Sequence, residues 1–153
     1  MSLKRRIGGK RAKSHGDEFE AIVKSAGALD GFHVIRMPDG CKVIGPNKLM
    51  RVRTPFDFIF VKSRKETFFA DTKTTEGKSF SHSQITPHQL DELLKIELNG
   101  GIAGYIVYFR ETNEIVWFSS SKLNSISRGE SLKPEEGVLL GSRFSIRFGA
   151  LFV

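Results

Sequence analysis

Cysteine is nearly absent from this chain: Cys41 is the only one in 153 residues. No intrachain disulfide can form, and no zinc site can be assembled from cysteines. A reducing compartment fits that usage. The histidines (His15, His33, His82 and His88) are scattered without the spacing of metal ligands. Also missing is any apolar run approaching the ~20 residues that span a bilayer. The basic N-terminus leads into Gly8-Gly9-Lys10-Arg11 and not into an apolar core, so no secretory leader is expected. A soluble cytoplasmic protein is the expectation. Two phosphate-binding signatures fail as well. Gly77-Lys78-Ser79 looks like the end of a P-loop, but Thr72 stands where that motif needs its first glycine. No glycine-rich dinucleotide fingerprint is present.

Positive charge, by contrast, is plentiful. Lys and Arg number 24 against 17 Asp and Glu, giving a net charge of +7 and a pI near 9.7. Such an excess favours a polyanionic partner, nucleic acid ahead of an anionic membrane. A basic surface with no partner is the plain alternative. Residues 1–15 hold Lys4, Arg5, Arg6, Lys10, Arg11 and Lys13, and no acid. They read as a flexible basic arm that either orders on phosphates or merely solubilises. Residues 16–153 have the length of a single domain with a real core.

The aromatic content is mostly phenylalanine, 13 residues against two Tyr and one Trp. Phe19, Ile22, Val23 and Ala26 recur on one helical face, predicting a helix over 17–28 with Glu20 at the edge of its apolar stripe. A strand is expected over 31–37, followed by a turn at Pro38-Asp39-Gly40. Residues 41–53 read either as a short hairpin or as a loop presenting basic residues, Arg51 and Arg53 among them. Thr86 and Pro87 open a second helix, which Asn99-Gly100-Gly101 ends. Strands follow at 102–109 and 114–118, then a short helix within 119–127. Alternation of Phe144, Ile146 and Phe148 with polar residues predicts a last strand. The order implies an α/β fold, a mixed sheet flanked by helices.

The chemistry concentrates between residues 54 and 73. Two apolar β-runs, 56–61 and 67–73, flank the charged connection 62–66, the pattern of a hairpin. Each run carries an aspartate where packing favours an apolar side chain. Asp57 and Asp71 are equidistant from Arg64, so a symmetric hairpin sets them opposite each other. Like charges across a strand pair repel, and an ionised carboxylate among phenylalanines is costly unless paired. A divalent cation removes both penalties. Carboxylate oxygens suit Mg²⁺, with Mn²⁺ as a substitute, better than zinc. Lys73 lies two residues past Asp71 and shares its face. An Asp71–Lys73 salt bridge is the simpler account, although one lysine does not satisfy two buried carboxylates.

Asp57, then Asp71-Thr72-Lys73 on the next strand, with Glu20 in a preceding helix, resembles the PD-(D/E)xK nuclease superfamily. Within it the chain is most similar to RecU-type Holliday junction resolvases. The similarity runs through GDEFE (16–20), TPFDF (54–58), FADTKTTEGKSF (69–80), HQL (88–90) and NGGIAGYIVYF (99–109). The resemblance implies a restriction-endonuclease-like fold and Mg²⁺-dependent cutting of branched double-stranded DNA in recombination and repair. It implies Asp57 and Asp71 as metal ligands, Glu20 as their support and Lys73 as the catalytic lysine. Gln89 would orient groups around the site, and Thr54 would lie near the scissile phosphate. Two departures stand out. The family more often has glutamate where this chain has Asp71, and its long basic stalk has only 37–53 as a counterpart. DNA phosphates are expected on Lys4, Arg5, Arg6, Lys10, Arg11, Lys13, Arg51, Arg53, Thr54 and Lys78. Paired nicks at a two-fold junction imply a homodimer. A nuclease acting on other DNA structures, or a binding module without catalysis, is the alternative.

Overall fold

A computed structural model of the chain describes the backbone of residues 3–38, 40–52 and 54–153, and the side chains of 13–38, 44–50 and 54–153. A long helix, α1 (Leu3–Leu29), leads into β1 (His33–Arg36). The hairpin β2 (Gly40–Gly45) and β3 (Lys48–Val52) stands as its own two-stranded sheet. Strands β4 (Phe58–Val61) and β5 (Thr67–Thr75) are followed by the short β6 (Phe80–Ser81) and by α2 (Pro87–Leu98). Then come β7 (Ile102–Phe109), β8 (Glu114–Ser119), α3 (Ser120–Asn124), β9 (Ser131–Leu132), β10 (Val138–Ser142) and β11 (Ser145–Ile146). The main sheet has seven strands in the order β1-β4-β5-β7-β8-β10-β11. β5 and β7 pair in parallel, as a crossover through α2 requires, and the other pairs in this sheet are antiparallel.

The pleat divides the phenylalanines between two cores. Phe58, Phe60, Phe68, Ile106 and Trp117 pack with Phe19 and Val23 of α1. The opposite face carries Ala103, Tyr105, Val107 and Phe118, which pack with Leu93 of α2 and Leu123 of α3. Phe60 and Phe68 face each other across β4 and β5 and stack with centroids 4.3 Å apart. Each fully buried phenylalanine contributes about 1.5–3 kcal/mol. Gly27 lets α1 approach this face: a Cβ there would sit 2.7 Å from ring carbon Cε1 of Phe60. α2 begins at Thr86 with Pro87 in its first turn and Gly100 beyond its end at φ +89°. That is the expected asymmetry of a helix start and stop.

Several boundaries differ from expectation. α1 starts at Leu3, so backbone expected to form a flexible arm over 1–15 is continuous helix from Leu3 onward. Leu, Lys, Arg and Ala there are good helix formers, and they outweigh Gly8-Gly9. β4 begins at Phe58, which leaves Asp57 at the mouth of the strand. The final alternating run yields only β11, because Phe144 lies at the β10–β11 turn, 89 % exposed, while Ile146 and Phe148 are buried. β10 went unpredicted, since an irregularity between Leu139 and Gly141 breaks its alternation.

Candidate active site

The β4–β5 hairpin is symmetric about Arg64, with Phe58 opposite Ala70 and Val61 opposite Thr67. One step further along that register brings Asp57 to Asp71. Asp57 is fixed by the neighbouring strand: its Oδ2 accepts both the Thr72 N–H and the Thr72 hydroxyl at 2.8 Å. Its carbonyl accepts the Met37 N–H at 2.8 Å, which ties the end of β1 to the mouth of β4. Asp71 is fully buried among cores built for apolar side chains. Its Oδ1 accepts from Gln89 Nε2 at 2.8 Å. Its Oδ2 lies 2.9 Å from Lys73 Nζ, yet that contact is not aligned as a hydrogen bond and Oδ2 has no other partner. We read it as charge contact without a directional bond. Lys73 Nζ in turn donates to Gln89 Oε1 at 3.0 Å and stands 5.4 Å from the centre of the Tyr105 ring. Asp71, Lys73 and Gln89 therefore close a triangle between β5 and α2.

Electrostatics mark the same spot. Burial, then the charge of Asp57, push the Asp71 carboxyl up to about 8, against the opposing pull of Lys73. Burial also raises Glu20, and Asp57 adds to that rise, so Glu20 lies within the electrostatic reach of the pair. Its carboxylate is held at 2.9 and 3.1 Å by Nη2 and Nε of Arg36. Burial, then the Asp71 charge, likewise raise the Tyr105 phenol, which stays protonated.

The match that decides the lineage covers more than half of the chain: residues 49–136 fit the family described as RecU, Recombination protein U. The chain belongs to the RecU family. A solved structure with a similar fold is Hjc of Archaeoglobus fulgidus, described as a Holliday junction resolvase from an archaeal hyperthermophile. At 15 % identity and a TM-score of 0.58, the likeness covers 81 % of this chain and 95 % of Hjc, and it establishes the fold. No curated protein matches the chain in sequence. Asp57, Asp71, Lys73 and Gln89 of this RecU-family protein lie inside the matched stretch, and Glu20 lies before it.

Of the expected site residues, Asp57, Asp71, Lys73 and Gln89 come together, and Glu20 stands beside them, engaged by Arg36. Among the described residues, no group of three or more His, Cys, Asp or Glu is gathered as a metal-holding cluster. The close donors are thus the two aspartates. Thr54 is half-buried ahead of β4, and Lys13 is exposed on α1. Lys78 is exposed, 3.7 Å from Glu111. The side chains of Lys4, Arg5, Arg6, Lys10, Arg11, Arg51 and Arg53 lie outside the described residues. Sequence reasoning missed Arg36, Thr72 and Tyr105. Thr72 is the middle residue of the Asp71-Thr72-Lys73 motif, but the other two act through distant partners that spacing does not reveal.

Proposed function

We propose that this Holliday junction resolvase cuts branched double-stranded DNA with a divalent cation, Mg²⁺ or Mn²⁺, held by Asp57 and Asp71. The observation that carries the reading is the buried Asp71 Oδ2, without a directional partner and facing a second carboxylate. Two hard oxygen donors crowded together, one of them met only by the charge of Lys73, fit such an ion. Glu20 would supply a third carboxylate from the rim. Bound there, the cation would polarise the scissile phosphate as a Lewis acid.

The chain's own groups do the rest. Lys73, aimed by Gln89 and Asp71, presents its ammonium to the charge that develops on the phosphoryl oxygens. Gln89 spans acid and lysine and fixes their relative orientation. Thr72 prevents Asp57 from swinging away. Lys4, Arg5, Arg6, Lys10, Arg11, Lys13, Arg51, Arg53, Thr54 and Lys78 would hold flanking phosphates. We take residues 16–153 as the nuclease domain, working in the cytoplasm as a homodimer that makes paired nicks. No described helix is long and apolar enough to cross a membrane.

A labelled four-way junction, incubated with and without Mg²⁺ beside matched linear duplex, tests the proposal. Symmetric nicks in the junction, dependent on the cation and lost in Asp71→Asn with binding retained, are expected. The Asp71–Lys73 contact favours one competing reading, a binding module with a structural ion pair. Binding without cutting, together with misfolding of Asp71→Asn, would establish that reading.

A further inference from the structure

Helix α2 opens on Thr86-Pro87-His88-Gln89, the sequence of a capping box. In such a box the side chain at the third helical position turns back to accept the N–H of the capping residue. The chain makes that bond a few residues earlier, where Ser81 N–H donates to Gln84 Oε1 at 3.2 Å. At α2 it does not form. The Thr86 N–H instead donates to the Tyr105 hydroxyl at 3.2 Å, and the Thr86 side chain makes no capping bond. The Gln89 amide, released from the cap, reaches Asp71 and Lys73.

Tyr105 is well placed for this. It stands directly opposite Asp71 in the β5–β7 ladder, is fully buried, and packs edge-to-face on Phe80 with centroids 6.1 Å apart. We infer that Tyr105 is a positioning residue of this active site: by taking the Thr86 N–H it keeps Gln89 out of its own helix cap and in contact with Asp71 and Lys73. The inference rests on the reading of these groups as the cutting machinery.

The test uses the full chain as Tyr105→Phe, Gln89→Ala and the double variant. Phenylalanine keeps the ring against Lys73 and Phe80 and removes only the hydroxyl. Under single-turnover cleavage of a four-way junction with Mg²⁺, Tyr105→Phe should lower the rate roughly tenfold, as expected for a displaced orienting group, with junction affinity unchanged. The double variant should be no slower than Gln89→Ala alone. Wild-type rate in Tyr105→Phe, or losses that simply multiply in the double variant, would overturn the inference. Amide exchange at Thr86 gives a second readout that needs neither DNA nor cation. Protection should persist in Tyr105→Phe, where Gln89 turns back, and vanish in the double variant. Equal protection in all forms overturns the inference. No cleavage by the unmodified chain would count against the nuclease reading, while the exchange pattern would still decide the role of Tyr105.

Discussion

Replacing Asp71 with asparagine should stabilise the cation-free protein at about pH 8 while abolishing cleavage. The Asp71 carboxyl is held at about 8 in the folded chain, against 3.8 for the free side chain, chiefly by burial. Between those two values the unfolded chain has released a proton that the folded chain retains, so stability falls as pH rises. The unfavourable contribution is absent below the lower value and complete above the upper one. A gap of about four decades, at 1.36 kcal/mol each, sets a ceiling of about 6 kcal/mol. Local relaxation and water penetration reduce it, and about 2–4 kcal/mol is expected. Asparagine keeps an oxygen for Gln89 and removes the second charge beside Asp57. Urea denaturation with a chelator, from about pH 4 to pH 9, reads the difference through the midpoint at constant slope. Added Mg²⁺ at ten times its dissociation constant should return about 1.4 kcal/mol to the wild type and little to the variant. Flat wild-type stability across this range, or an asparagine variant that is weaker at pH 8, would refute the reasoning. The Asp71–Lys73 pair would then be a net support of the fold.

Other outcomes follow from the same geometry. Asp57→Ala leaves the Thr72 N–H without its acceptor and should cost about 1–3 kcal/mol in denaturation, besides activity. Gly104→Ala would place a Cβ 2.1 Å from the Phe118 carbonyl oxygen, on backbone that cannot yield. A loss of about 3 kcal/mol or more is expected, visible as a collapsed thermal midpoint. Phe60→Ala should cost about 3–5 kcal/mol, whereas Phe144→Ala, on an exposed turn, should change stability by less than about 0.5 kcal/mol. Junction affinity should fall with salt by about 0.9 in log–log slope per neutralised phosphate, and removing Lys13 should flatten that slope.

The hairpin that carries the site was legible because its signals are local. Phenylalanine runs on either side of a charged connection set the register, and the register alone brings Asp57 to Asp71. α2 and β7 were legible for the same reason, from Pro87 at one end and Asn99-Gly100-Gly101 between them. What escaped depends on partners distant in sequence. Arg36 earns its place through Glu20 on another element, and Tyr105 through Thr86. The start of α1 escaped because two adjacent glycines in a basic run look like a tail, although the surrounding residues favour helix. β10 escaped because its irregular pairing with β8 removes the alternation that marks a strand.

The excursion that contains β2 and β3 leaves the main sheet at Met37 and returns at Asp57, where the Met37 N–H donates to the Asp57 carbonyl across its neck. Neither of its strands pairs with the seven-stranded sheet. Its span is therefore set by no ladder of the main sheet. Doubling it would cost only about 0.6 kcal/mol in closure entropy. An engineer could lengthen, trim or graft this arm while the sheet keeps its register, provided that Met37 and Asp57 still meet and Phe56 keeps its place in the core against Phe69.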